Sequence, residues 1–163
     1  MNHNQLTNFP HILTRRPDLS ARIKGSHAYP RIDGTVSFYE TTLGVLVSAQ
    51  ISGLPTDSDK CRSPVFAFHI HSGSECTGDA ADPFKNAMTH LNPSNCPHPY
   101  HAGDLPPLFG AKGFACSAFL TDRFTLKDII GKVIVIHANP DDFTTQPAGN
   151  SGAKIACGVI KKV

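Results

Sequence analysis

The 163-residue chain has no tryptophan, two methionines, 8% aromatic residues and 17% charged residues. No run approaches the roughly 18 apolar residues a membrane-spanning helix needs, which argues against a membrane partner. An excess of either charge is nearly missing. A net charge of +2 is too small to mark a nucleic-acid or membrane-surface binder. None of the five cysteines sits in a CxxC pair, which disfavours a zinc ribbon or a thioredoxin-like motif. The first residues, MNHNQLTNFPHILTRRPDLSA, hold no continuous apolar stretch, and none follows the adjacent Arg15 and Arg16. That reads as no export signal and points to the cytoplasm; an exported or periplasmic protein would fit if the chain had been trimmed. Internal repeats and low-complexity tracts are also missing.

What is present is turn chemistry and short β-rich runs. Thirteen glycines and thirteen prolines separate segments rich in β-branched and aromatic residues. Strands are expected at ARIKGS (21–26), GTVSFYET (34–41), LGVLVSAQISGL (43–54), VFAFHIH (65–71), FACSAFL (114–120), KVIVIHA (132–138) and AKIACGVI (153–160). The second and third read as a hairpin turning near 42–44. TLKDIIG (125–131) reads as a short helix. Short strands without βαβ alternation predict an all-β fold, an antiparallel sandwich or Greek-key barrel. Residues 1–20 read as an N-terminal arm and residues 21–163 as one domain.

Two long stretches, 72–110 and 139–152, lack strand or helix periodicity. Loops of that size in a compact domain need something to order them, and they commonly carry function. Six of the nine histidines fall between 69 and 137. In FAFHIHSGSEC (66–76), His69 and His71 share one face of a strand, roughly 6.5–7 Å apart along it. Phe66, Phe68 and Ile70 face the other way. His137 closes the apolar run KVIVIH as His71 closes its own. Three neutral imidazoles suit copper, zinc or iron better than magnesium or calcium. The first loop adds His90, His98, His101 and Asp104, a three-nitrogen, one-oxygen set that suits zinc. The remaining histidines, His3, His11 and His27, read as surface residues. Of Cys61, Cys76, Cys96, Cys116 and Cys157, at least one has no partner within the chain, and the pairing is open from composition alone.

FHIH, THLNP, HAGDLP, VIHANPDD and GNSGAKIACGVI together resemble the successive motifs of the copper/zinc superoxide dismutase family, over about residues 21–163. The spacing from His71 to Cys76 and the run GDLPPL resemble its bacterial branch most. The resemblance implies an eight-stranded antiparallel Greek-key β-barrel, a flattened sandwich with two long functional loops; enzymes of this family are themselves a standard example of sandwich architecture. It implies copper and zinc ions as cofactors and superoxide as substrate, converted to oxygen and hydrogen peroxide. His69, His71, His90 and His137 would be copper ligands; His90, His98, His101 and Asp104 would be zinc ligands, with His90 bridging and catalytic. The loop carrying His98 is shorter than the family's and differs from it. Asp141 matches the carboxylate that links ligands of the two metals, and Cys76 and Cys157 match the family's disulfide. Closing a loop that long is worth on the order of 4 kcal/mol.

Lys154 stands where the family usually has an arginine that guides the anion. Lysine keeps the charge but loses the planar donor fork, so steering is expected to survive and anchoring to weaken. Cys116 is expected to fill the core as a small hydrophobe, and Cys96 either to pair with Cys61 or to perturb the zinc loop. A homodimer and a copper donor protein are further partners that such a family member can have. The competing readings are a non-catalytic copper-binding or copper-delivery domain of the same fold, and a zinc-only structural domain.

Overall fold

Alternating β-branched and aromatic residues give strands whose inner faces bury a common core, while Gly, Pro, Asn and Asp turn the chain between them. A computed structural model of the chain describes residues 8–57 and 64–163. After a short helix, α1 (Phe9–Thr14), come the strands β1 (Leu19–Gly25), β2 (Asp33–Thr41), β3 (Gly44–Ser52), β4 (Val65–Phe66) and β5 (Phe68–His71). These are followed by β6 (Leu108–Phe109), β7 (Phe114–Thr121), α2 (Leu126–Ile129), β8 (Val133–His137) and β9 (Lys154–Lys162). One antiparallel sheet runs β5-β8-β9-β1-β2-β3-β7, and β4 pairs with β6 in a second. The last strand thus returns beside the first, and β3 to β7 and β5 to β8 become neighbours across long connections, as a Greek key requires. Counting β4 and β5 as one strand interrupted at Ala67 gives eight among the described residues, as expected. At the break the Ala67 N–H donates to the Asn139 carbonyl at 2.8 Å and its carbonyl accepts from the His137 N–H at 2.9 Å.

The core lies inside the curled sheet. Ala21, Ile23, Val36, Phe38, Val47, Ile51, Phe68, Ile70, Ile134, Ile136 and Ile155 are fully buried there. Each large side chain so buried contributes roughly 1.5–3 kcal/mol. Phe66, Phe68 and Ile70 face this core as their alternation predicts. β8 is buried on both faces, which is why VIVIH does not alternate. Ile134 and Ile136 face the main core, and Val133 and Val135 pack with Phe84, Ala87 and Cys157 in a second cluster.

Strand β1 begins at Leu19, two residues inside the stretch assigned to the arm. The two-residue β6 was invisible in the long loop because two residues show no periodicity. Cys116 corrects an expectation. It is exposed because alternation along β7 turns Ala115, 2% exposed, into the core instead. Cys96 is a free, partly exposed thiol, and Cys61, its suggested partner, lies outside the described residues, as does His3. His11 and His27 are exposed, as expected.

Candidate metal centre

β5 delivers His69 and His71 to the sheet's rim, and β8 delivers His137. A register shift after Ile136 pairs His137 with Lys154 and skips Ile155 in the β8–β9 ladder. Such a bulge re-aims the side chain beside it. The loop 72–107 folds back over this rim. Isolated bridges pair His71 with His90 and His69 with Asp104, so backbone hydrogen bonds bring the loop's ligand candidates to the strand's.

The six histidines and Asp104 are all buried, between 0% and 6% exposed. One nitrogen from each of His69, His71, His90 and His137 falls within 4.8 Å of the others, and so do donor atoms of His90, His98, His101 and Asp104. The two groups share His90. Burial above all, followed by the neighbouring imidazoles, holds His71 well below the usual histidine range. Burial likewise lowers His137 to about 4, against the pull of its hydrogen bond to Gly152. These rings are neutral, the form that binds metal.

Their hydrogen bonds show which nitrogen is left bare. Nε2 of His69 donates to Asp141 Oδ2 at 2.8 Å, and Nε2 of His98 donates to Asp141 Oδ1 at 2.8 Å. A neutral ring has one N–H, so Nδ1 of each is a lone pair, and both atoms are buried without a hydrogen-bond partner. Nδ1 of His71 donates to the Met88 carbonyl at 3.0 Å, and Nδ1 of His137 to the Gly152 carbonyl at 3.1 Å. Their bare Nε2 atoms then face one another at 3.2 Å. Nδ1 of His98 also stands 3.0 Å from Asp104 Oδ2 without the geometry of a hydrogen bond. Nδ1 atoms of His101 and His90 are 3.4 Å apart, and that of His90 is 2.8 Å from Asp104 Oδ1. Nε2 of His90 is buried without a hydrogen-bond partner. Lone pairs turned on one another in a dry site are costly unless cations lie between them. The residues therefore fit two metal ions, one in each group.

The surrounding loops hold this arrangement. A disulfide joins Cys76 to Cys157 with Cα atoms 5.6 Å apart, closing 81 residues and tying the first loop to β9. Gln146 clamps His98, accepting from its N–H at 2.9 Å and donating to its carbonyl at 2.7 Å. Nη1 of Arg123 donates to the carbonyls of Pro99, His101 and Asp104 at 3.1–3.4 Å. Gly149 has φ +63°, and a Cβ there would meet Asp141 Oδ1 at 1.9 Å and His98 Nε2 at 2.7 Å. Only glycine combines that φ with so close an approach. A pocket of about 580 Å³ opens over His71, His90 and His137, with Ser151 and Lys154 in its wall. Of the residues singled out from the sequence, the six histidines and Asp104 meet in these two groups, His98 included; Asp141 bonds to two of the rings, Lys154 lines the pocket and Cys76 pairs with Cys157. Gln146, Arg123, Gly149 and Asp82, the ion-pair partner of Lys154, were not anticipated.

Comparison with known proteins gives a consistent result. The family model described as copper/zinc superoxide dismutase (SODC) matches residues 32–160. A superoxide dismutase [Cu-Zn] of Aquifex aeolicus is 33% identical over 159 residues, covering 88% of each chain. One of Legionella pneumophila is 34% identical over 152 residues, covering 88% of this chain and 87% of that protein. The solved structure of a Cu/Zn superoxide dismutase from Brucella abortus shares the fold. Its TM-score is 0.72 at 24% identity, over 86% of this chain and 97% of that one.

Proposed function

Because this chain belongs to the copper/zinc superoxide dismutase family, we propose that it converts two superoxide anions and two protons to oxygen and hydrogen peroxide at this double centre. The observation that carries the reading is the set of bare, buried imidazole nitrogens turned toward two shared points. His69, through Nδ1, and His71, His90 and His137, through Nε2, would hold copper. His90, His98 and His101, through Nδ1, and Asp104 would hold zinc. When bound, copper supplies a one-electron couple that accepts an electron from one superoxide and returns it to the next, while zinc supplies fixed positive charge.

The chain's own residues do the rest. Asp141 keeps the protons of His69 and His98 on Nε2, so their Nδ1 atoms stay available. His90 belongs to both donor groups, so it would offer both nitrogens only after giving up its ring proton, and its buried Nε2 is the atom that can take a proton up again and pass it to the peroxide oxygen. Lys154, in the pocket wall, attracts the anion. Electrostatic steering of this kind raises on-rates by roughly 10 to 10³, and superoxide dismutase is itself a standard illustration of it.

The test is to load the chain with copper and zinc, measure each metal per chain, and follow superoxide consumption. One copper, one zinc and rapid dismutation are expected. A His71→Ala variant should lose copper and activity while its circular dichroism spectrum stays that of the β-fold. Copper bound without dismutation would make the protein a copper-holding or copper-delivery domain, and zinc alone would leave a structural one.

A further inference from the structure

The only permanent charge among the described residues lining the pocket over His71, His90 and His137 is Lys154. Its ammonium is not free. It forms an ion pair and hydrogen bond with Asp82, which lies 72 residues away in sequence and outside the pocket's lining. The Lys154 side chain is 15% exposed and that of Asp82 38%, so water and salt screen this pair less than a surface one.

Asp82 is also held in place independently of the pair. Its N–H donates to Asp79 Oδ1 at 3.0 Å, and its Oδ1 accepts from the Phe84 N–H at 3.0 Å. Its carbonyl accepts from the N–H groups of Asp79 and Lys85 at 3.0 and 3.1 Å. Phe84 packs this turn onto β8 and Cys157, and the Cys76–Cys157 disulfide ties the same loop to β9 three residues beyond Lys154. Lys154 in turn sits across the β8–β9 ladder from His137, where cross-strand side chains are about 5 Å apart.

We propose that Asp82 is a positioning residue that restrains the Lys154 ammonium and partly cancels its charge, setting how strongly the pocket draws in its anion. The inference rests on the reading of this pocket as the superoxide site. A rigid carboxylate beside the Lys154 ammonium does two things. It holds the ammonium toward the disulfide loop, and it places a negative charge where an arriving anion meets repulsion.

The experiment compares the metal-loaded wild type with Asp82→Asn and Lys154→Gln. Pulse radiolysis would give the second-order rate with superoxide across ionic strength, with copper and zinc content measured on the same samples. Asp82→Asn should raise the rate roughly threefold at low salt and steepen its fall with added salt, because one anionic charge no longer opposes the steering field. Metal content should stay unchanged. Lys154→Gln should lower the rate and flatten the salt dependence. A second readout is independent of activity: acylation of the Lys154 amine, followed by mass spectrometry on metal-free and loaded protein, should run several-fold faster in Asp82→Asn.

An unchanged or lower rate in Asp82→Asn, with Lys154→Gln impaired, would overturn the restraint while leaving Lys154 as the guide. Unchanged rates in both variants would overturn the restraint together with that role of Lys154. If the loaded wild type did not dismute superoxide, the reading of the site would fall, and equal labelling of Lys154 in wild type and Asp82→Asn would overturn the restraint by itself.

Discussion

Asp141 divides its two oxygens between Nε2 of His69 and Nε2 of His98, each at 2.8 Å. A carboxylate can accept from both, whereas an amide has one accepting oxygen and one donating nitrogen. In Asp141→Asn one of the two rings must therefore accept at Nε2 and carry its proton on Nδ1, the atom meant for metal. Losing such an orienting partner typically lowers metal affinity roughly 10- to 100-fold. Competition with a chelator of known affinity should show that loss for copper or zinc, and an unchanged affinity for both would contradict the tautomer assignment. Gly149→Ala attacks the same carboxylate sterically, since its Cβ would lie 1.9 Å from Oδ1. The histidines proposed as ligands were legible because each sits in a short local motif. Gln146 and Asp82 were not, because their partners lie 48 and 72 residues away and neither sits in a pattern that announces a partner.

At the scale of elements, strands were legible where alternation ran for four residues or more, as in β2 and β5. It failed at β6, too short for any period, and at Cys116, where the run FACSAFL leaves the inward face ambiguous until β7 is paired with β3. The long first loop carries almost no regular structure, so its order comes from tethers. By the chain-entropy model the disulfide over 81 residues is worth about 4 kcal/mol. The double variant Cys76→Ser with Cys157→Ser should lower the urea midpoint of the metal-free chain accordingly. A shift under about 1 kcal/mol in equilibrium unfolding would show that the loop's other contacts suffice. Arg123, just past the end of β7, ties the same loop down through three of its carbonyls. The residue is exposed, so Arg123→Met should cost only about 1 kcal/mol of stability but speed zinc release to a chelator.

For the whole molecule, metal binding and folding are linked. Anything that binds the folded state alone stabilises it by RT ln(1 + [L]/Kd), about 4 kcal/mol at a thousandfold excess over Kd. Scanning calorimetry should therefore show removal of copper and zinc lowering Tm by about ten degrees or more. The metal-free chain should also be acid-sensitive. The pKa of His137 is about 4 in the folded state against about 6.5 unfolded. Between those values the unfolded chain binds the extra proton, so stability rises with pH there and is lost as pH falls from about 6.5 to about 4. That one ring accounts for about 3 kcal/mol of the loss. Urea titrations of the metal-free protein at about pH 7 and about pH 4.5, either side of most of that window, should show it. A His137→Gln variant should lose less over the same range.

Sequence alone determined the β-class, the positions of the longer strands and which side chains are the metal-ligand candidates, because those follow from local alternation and short motifs. Tertiary structure decided how these side chains act. It chose which nitrogen stays bare on His69, His71, His98 and His137, split one strand at Ala67 so that it pairs with two partners, turned Cys116 outward, and set Asp82 against Lys154. Each of these depends on what a distant segment brings within hydrogen-bonding reach, and no local pattern of residues encodes that distance.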